Sequence, residues 1–155
     1  MEVSIYINTT HQGHQSKGKG TYGIILEYIK ANKEPETREY FGGLTNTSKN
    51  RIALTACIEA LSYLTKPCTV NLSIDNRYLT EIMINKYYYK WNIENWTVGN
   101  KPVKNPDLWE KLIEQLAIHK VNFSLVETNQ YTSYIELMLK RVEIEYKEDK
   151  HGEIR

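Results

Sequence analysis

The order of apolar patterns along this 155-residue chain predicts an α/β fold, a five-stranded mixed sheet flanked by helices. Three observations carry that reading. Strand-like alternation dominates the segments before Gly42, a long helical spacing of apolar residues follows Asn50, and strand and helix patterns then alternate as far as Val142.

Val3 to Ile7 alternates about β-branched residues and ends on Asn8. Thr21 to Ile29 alternates again after the glycine-rich stretch Gly13 to Gly20, so the two segments read as strands joined by a flexible loop. Arg38 to Phe41, ahead of Gly42 and Gly43, reads as a third strand. Ile52, Leu54, Cys57, Ile58, Leu61 and Leu64 recur at helical spacing until Pro67 stops the pattern, which predicts a buried helix of about four turns. Val70 to Ile74 forms a strand ending on Asp75, and Tyr78 to Ile84 a short helix. Asn105, Pro106 and Asp107 are helix-starting residue types, here ahead of Leu108, Trp109, Leu112, Ile113 and Leu116 on one apolar side. His119 follows at the helix end, where a cation is favoured. Val121 to Val126 alternates as the last strand, and Tyr134 to Val142 forms the final helix. The charged stretch Lys147 to Arg155 reads as a frayed tail, which sets the domain at residues 1–146.

Composition narrows the function classes. With 41% hydrophobic residues, a chain of this length is expected to form one domain that buries roughly two-thirds of its unfolded surface. No run of 18 apolar residues and no basic-then-apolar start occurs, so no membrane association is expected and the location is read as cytoplasmic. Cys57 and Cys68 lack metal or redox spacing and read as buried thiols. A net charge of +1 argues mildly against tight nucleic-acid binding. The spacing of His11 and His14 in a glycine-rich loop is weak evidence for a metal pair, and no phosphate-cradling or nucleophile-elbow motif occurs.

Three local runs stand in a telling order. Thr47-Ser48-Lys49-Asn50-Arg51-Ile52-Ala53-Leu54 opens the long helix, Ser73-Ile74-Asp75-Asn76-Arg77-Tyr78-Leu79 follows the fourth strand, and Lys101-Pro102-Val103-Lys104-Asn105-Pro106-Asp107-Leu108-Trp109 opens the next helix. Together they resemble type 1 ribonuclease H, which cuts the RNA strand of RNA/DNA hybrids, over nearly the whole chain from Val3 to Val142. The resemblance implies a ribonuclease H-like fold and a two-metal mechanism, in which four carboxylates hold two Mg²⁺ ions about 3.5–4 Å apart.

Carried over by position, the first strand acid falls on Asn8, the helix acid on Ala53, the second strand acid on Asp75 and the last helix acid on Glu136. The loop histidine of the family falls on Asn129. Asp75 reads either as a retained metal ligand or as the cap of the helix that follows it. The family's basic handle matches Tyr87 to Trp96, which keeps Trp91 and Trp96 as substrate-facing residues but has Asn92, Ile93 and Glu94 where cations are expected. The Tyr87-Tyr88-Tyr89 run reads either as rings that stack on nucleotide bases or, the commoner case, as helix packing with one exposed ring. Ser48, Lys49, Asn50 and Arg51 at a helix start are expected to hold a backbone phosphate.

These substitutions predict an impaired catalytic centre and at most weak binding of RNA/DNA hybrid or double-stranded nucleic acid, with no cofactor. A rival reading keeps a poor, Mg²⁺- or Mn²⁺-dependent nuclease built on Asp75, Glu136 and the amide oxygen of Asn8. A third is a structural or protein-binding domain that no longer meets nucleic acid.

Overall fold

The computed structural model of the protein describes residues 1–151. Val3, Ile5 and Ile7 of β1 (Glu2–Gln12) are buried in alternation, which commits one face of the strand to a core. β1 pairs antiparallel with β2 (Gly18–Ile29), which pairs antiparallel with β3 (Pro35–Thr47). Helix α1 (Lys49–Ser62) then carries the chain across to β4 (Thr69–Ile74), parallel to β1 on its other side. Helices α2 (Arg77–Asn85) and α3 (Tyr87–Ile93) come next. A small ribbon of β5 (Thr97–Val98) and β6 (Lys101–Pro102) precedes helix α4 (Pro106–Leu116) and strand β7 (Lys120–Leu125), which lies parallel to β4. After α5 (Thr132–Arg141), β8 (Tyr146–Glu148) joins β3 in parallel.

The main sheet therefore runs β7-β4-β1-β2-β3-β8. The α/β fold with a mixed sheet is the expected one, but the sheet has six strands rather than five. Tyr146 to Glu148 pair with Gly43 to Thr45, so the chain beyond residue 146 does not fray at once as expected. Positions 152–155 of that tail lie outside the described residues. Among the described residues no helix is long and apolar enough to cross a membrane.

The core forms where α1 packs on β1 and β2. Ile52, Ala53, Leu54, Ala56, Cys57, Ala60 and Leu61 are all buried, so α1 is enclosed around most of its circumference. Trp109 of α4 is fully buried beside it. Cys57 and Cys68 are free, buried thiols; burial, and then the charge of Asp75, pushes the Cys57 thiol up. Helix α5 lies against β2, where Ile135 approaches Gly23 so closely that a Cβ there would stand 2.4 Å from its Cγ2. The hydroxyls of Tyr131 and Tyr134 donate to Glu27 and Glu39 and fasten α5 to the sheet.

Arg51 departs from its expected role. Only 4% exposed, it donates through Nη2 to Asp107 at 2.7 Å and through Nε to Asp149 at 2.7 Å. Its Nη1 reaches Asn105 at 3.2 Å, and Thr47 adds a hydroxyl bond to Asp149 at 2.8 Å. A planar fork with five donors can meet two carboxylates with paired bonds to each, a geometry that the three donors of a lysine do not offer. Burial alone would raise the Asp107 and Asp149 carboxyls, but the Arg51 hydrogen bonds outweigh it and hold both below the usual carboxylate value. Asn105, expected as a helix cap, has its side chain drawn into this network and makes no capping bond.

His119 also departs from expectation. It is 5% exposed, and its Nδ1 accepts the Cys68 amide at 3.1 Å, so it serves the fold as a neutral acceptor. Burial lowers its pKa below 6.5.

Removing Arg51 leaves the buried Asp149 and the half-buried Asp107 without their partner, so Arg51→Ala is expected to cost about 3–5 kcal/mol in urea denaturation. The two stabilising terms separate by pH. Because the folded pKa of His119 is depressed, its contribution is present above about 6.5 and is lost as pH falls below that value. The Asp107 and Asp149 contributions persist until about pH 3.8 and are lost below it, since their folded values are depressed as well. In thermal melts the fall in Tm between pH 7 and pH 5 is expected to be shallower for His119→Asn than for the native protein.

Candidate functional site

The parallel pairing of β1, β4 and β7 sets Ile7 opposite Ile74 and Ile74 opposite Leu125, so Asn8, Asp75 and Val126-Glu127 emerge side by side at one edge of the sheet. Crevices at the carboxyl ends of parallel strands are the usual place for a site in such sheets. Asp75 does not cap α2; Asn76 does, its side chain accepting from the Leu79 amide at 2.8 Å. The Asp75 carboxylate is instead held by Thr9, whose amide donates to Oδ2 at 2.9 Å and whose hydroxyl donates to Oδ1 at 2.9 Å.

Asn8 is buried beside Asp75 with both ends of its amide engaged. Nδ2 donates to Asp75 at 3.4 Å and to the Glu127 carbonyl at 3.1 Å. Oδ1 accepts the Thr132 hydroxyl at 2.9 Å and the Asn129 amide at 3.4 Å. An amide has two donors and two lone-pair directions, and all four are used. A carboxylate at position 8 would put oxygen against the oxygens of Asp75 and Glu127. Asn129 closes the ring by donating its backbone N–H to the Thr132 hydroxyl at 2.8 Å and accepting from the Tyr131 amide at 2.7 Å.

The α5 side chain in this cluster is Thr132, not the Glu136 expected from the sequence. Glu136 is exposed, one position beyond Ile135, the residue that faces Gly23. A search for acids passes over a threonine; the usable signal was the spacing of Asn129, Thr132 and Ile135, which marks the buried side of α5. Ala53 is fully buried in α1 and offers no donor atom. Among the described residues no three His, Cys, Asp or Glu side chains are grouped so as to hold a metal ion. One carboxylate, two amides and two hydroxyls supply a single negative charge. That donor set does not fit two divalent cations a few ångströms apart.

A second feature lies at the start of α1. Ser48 accepts from the Arg51 amide at 3.1 Å and so caps the helix, leaving the preceding N–H groups directed out of the helix end. His11, Lys49, Asn50, Lys104 and His151 line an open pocket of about 690 Å³ there. Lys49 and Lys104 make it cationic. Arg51, expected in this group, is committed to Asp107 and Asp149 instead. Trp96, expected to face substrate, is 8% exposed, and Trp91 is partly buried and packs edge-on against Trp109.

The family model described as RNase H matches residues 2–131. A ribonuclease H of Lachnoclostridium phytofermentans is 39% identical over 82% of this chain and 80% of its own length. The chain belongs to the ribonuclease H family. A second ribonuclease H, from Chlorobium chlorochromatii, is 36% identical over 86% of this chain and 87% of its own. Among solved structures, LC9-RNase H1, described as a type 1 RNase H with the type 2 active-site motif, superposes with a TM-score of 0.76 at 20% identity. That match covers 88% of this chain and 69% of the other, and confirms the ribonuclease H-like fold.

If the Asn8 amide is what keeps this edge of the sheet together, Asn8→Asp is expected to cost about 1–3 kcal/mol in the presence of EDTA. Millimolar Mn²⁺ is expected to raise the Tm of Asn8→Asp and to leave the native protein unchanged, because only the variant gains a second anionic ligand.

Proposed function

We propose that this ribonuclease H family member binds RNA/DNA hybrid weakly and does not cut it by the two-metal route. The observation that carries the reading is the saturated Asn8 amide beside Asp75: the site balances its hydrogen bonds without any cation. The cationic pocket at the start of α1 supports the binding half of the proposal. Ser48, Lys49 and Asn50, with Lys104 opposite, offer the side chains, amides and helix dipole that a backbone phosphate needs. Few lysines are involved, so affinity and its salt dependence should both be modest.

The second reading, a Mg²⁺- or Mn²⁺-dependent hybrid endoribonuclease of atypical donor set, is favoured by the relatives. They bear the name ribonuclease H and match most of this chain at 39% and 36% identity. In that case Asp75 is its one anionic ligand at the Asn8 edge, and Glu136 would have to reach the site from its exposed position on α5.

Incubation of a labelled hybrid with each metal separates the two. The first reading expects no cleavage with either ion; cleavage that Asp75→Ala abolishes establishes the second. In a binding titration between 50 and 200 mM salt, the Lys49→Ala/Lys104→Ala variant is expected to reduce the salt slope by about 2. Salt-insensitive or absent binding of the native protein would favour a domain that no longer contacts nucleic acid.

A further inference from the structure

Helix α3 presents two exposed rings where the sequence reading expects one: Tyr87 is 50% exposed and Tyr89 59%. Neither ring is loose. Tyr89 stacks on Tyr88 with centroids 4.8 Å apart and planes at 25°. Tyr87 leans on Trp91 at 6.1 Å, and Trp91 meets the fully buried Trp109 edge-on at 6.2 Å. Tyr88 and Trp91 are themselves packed against the core. A braced ring loses little side-chain freedom when a flat partner settles on it, which lowers the cost of binding.

The charge of the segment that carries these rings selects the partner. Lys86, Lys90, Lys101 and Lys104 stand against the single acid Glu94 between positions 86 and 104, whereas the whole chain carries only +1, so the remainder is net acidic. Lys104 also lines the pocket at the start of α1, which joins this segment to the proposed phosphate contact. Aromatic faces interleaved with lysines fit a phosphate-linked chain whose bases are free to stack. A paired duplex keeps its base faces inside the helix. Only unpaired nucleotides can use the rings.

We infer that α3 is a stacking platform for unpaired nucleobases, its two rings, set two positions and so about 200° apart on the helix, each taking a base of a single-stranded stretch that continues from a bound hybrid. The inference rests on the nucleic-acid reading above and extends it to a different part of the ligand.

Fluorescence anisotropy with three labelled probes tests it: a blunt RNA/DNA hybrid, the same hybrid with a single-stranded DNA extension, and the extension strand alone. The extended hybrid is expected to bind about tenfold more tightly than the blunt one. Tyr87→Ala/Tyr89→Ala is expected to lose that gain with blunt-hybrid affinity unchanged, and Tyr87→Phe/Tyr89→Phe to keep it. No gain from the extension, or a gain that survives the alanine variant, overturns the platform and leaves the hybrid reading standing. Binding of the single strand without the blunt hybrid overturns the hybrid reading and supports the platform. Self-association in sedimentation that the alanine variant abolishes, with no gain from the extension, assigns the rings to protein docking and overturns the inference.

Discussion

The buried guanidinium of Arg51 ties together three parts of the chain that sequence keeps far apart. Its donors reach Asp107 at the start of α4 and Asp149 just after β8, while its own backbone forms the first turn of α1. Everything on the cationic side of the molecule follows from that junction. The Arg51–Asp107 pair lines the pocket at the α1 start, and Asp149, just after β8, is anchored to Arg51 and Thr47. Such an arrangement is weak evidence for great stability, since desolvation offsets much of the attraction, but it leaves few alternative ways to assemble the same pieces.

The Asn8 cluster solves a different problem with the opposite chemistry. Where the family resemblance implies charges balanced by cations, this chain closes the edge of the sheet with amides and hydroxyls whose donors and acceptors match. Three strands and one helix contribute to it, so the cluster has a structural role whatever its chemistry. Neutral networks of this kind hold only when every member is satisfied. None of the buried side-chain nitrogen or oxygen atoms among the described residues lacks a partner.

Most of the fold was legible because its signals are local. Alternation marked β1, β2 and β7, and the spacing of Ile52 through Leu61 marked α1. β8 was not legible: its three exposed residues show no alternation, and its pairing with β3 is secured by an aspartate that bonds a side chain 98 residues earlier. The same limitation governs the site. Asn8, Asp75 and Asn129 could be placed by resemblance and do meet in space, whereas Arg51 looks like a surface cation until the two acids are brought to it. Trp96 and His119 were misjudged for a related reason, since an amphipathic side chain near a helix end looks alike in sequence whether it faces solvent or core.

Strand β3 has a further consequence. It is 13 residues long, yet β8 covers only Gly43 to Thr45, so the stretch from Pro35 to Gly42 is an open sheet margin. An unpaired margin of that length invites fusion with another chain into continuous cross-molecular ladders. Here it carries a proline and alternating charges at Glu36, Arg38 and Glu39, the residue types that discourage such growth. Protection of this margin therefore falls to a handful of ionic side chains, and one of them, Glu39, serves twice because it also accepts the Tyr134 hydroxyl that fastens α5 to the sheet.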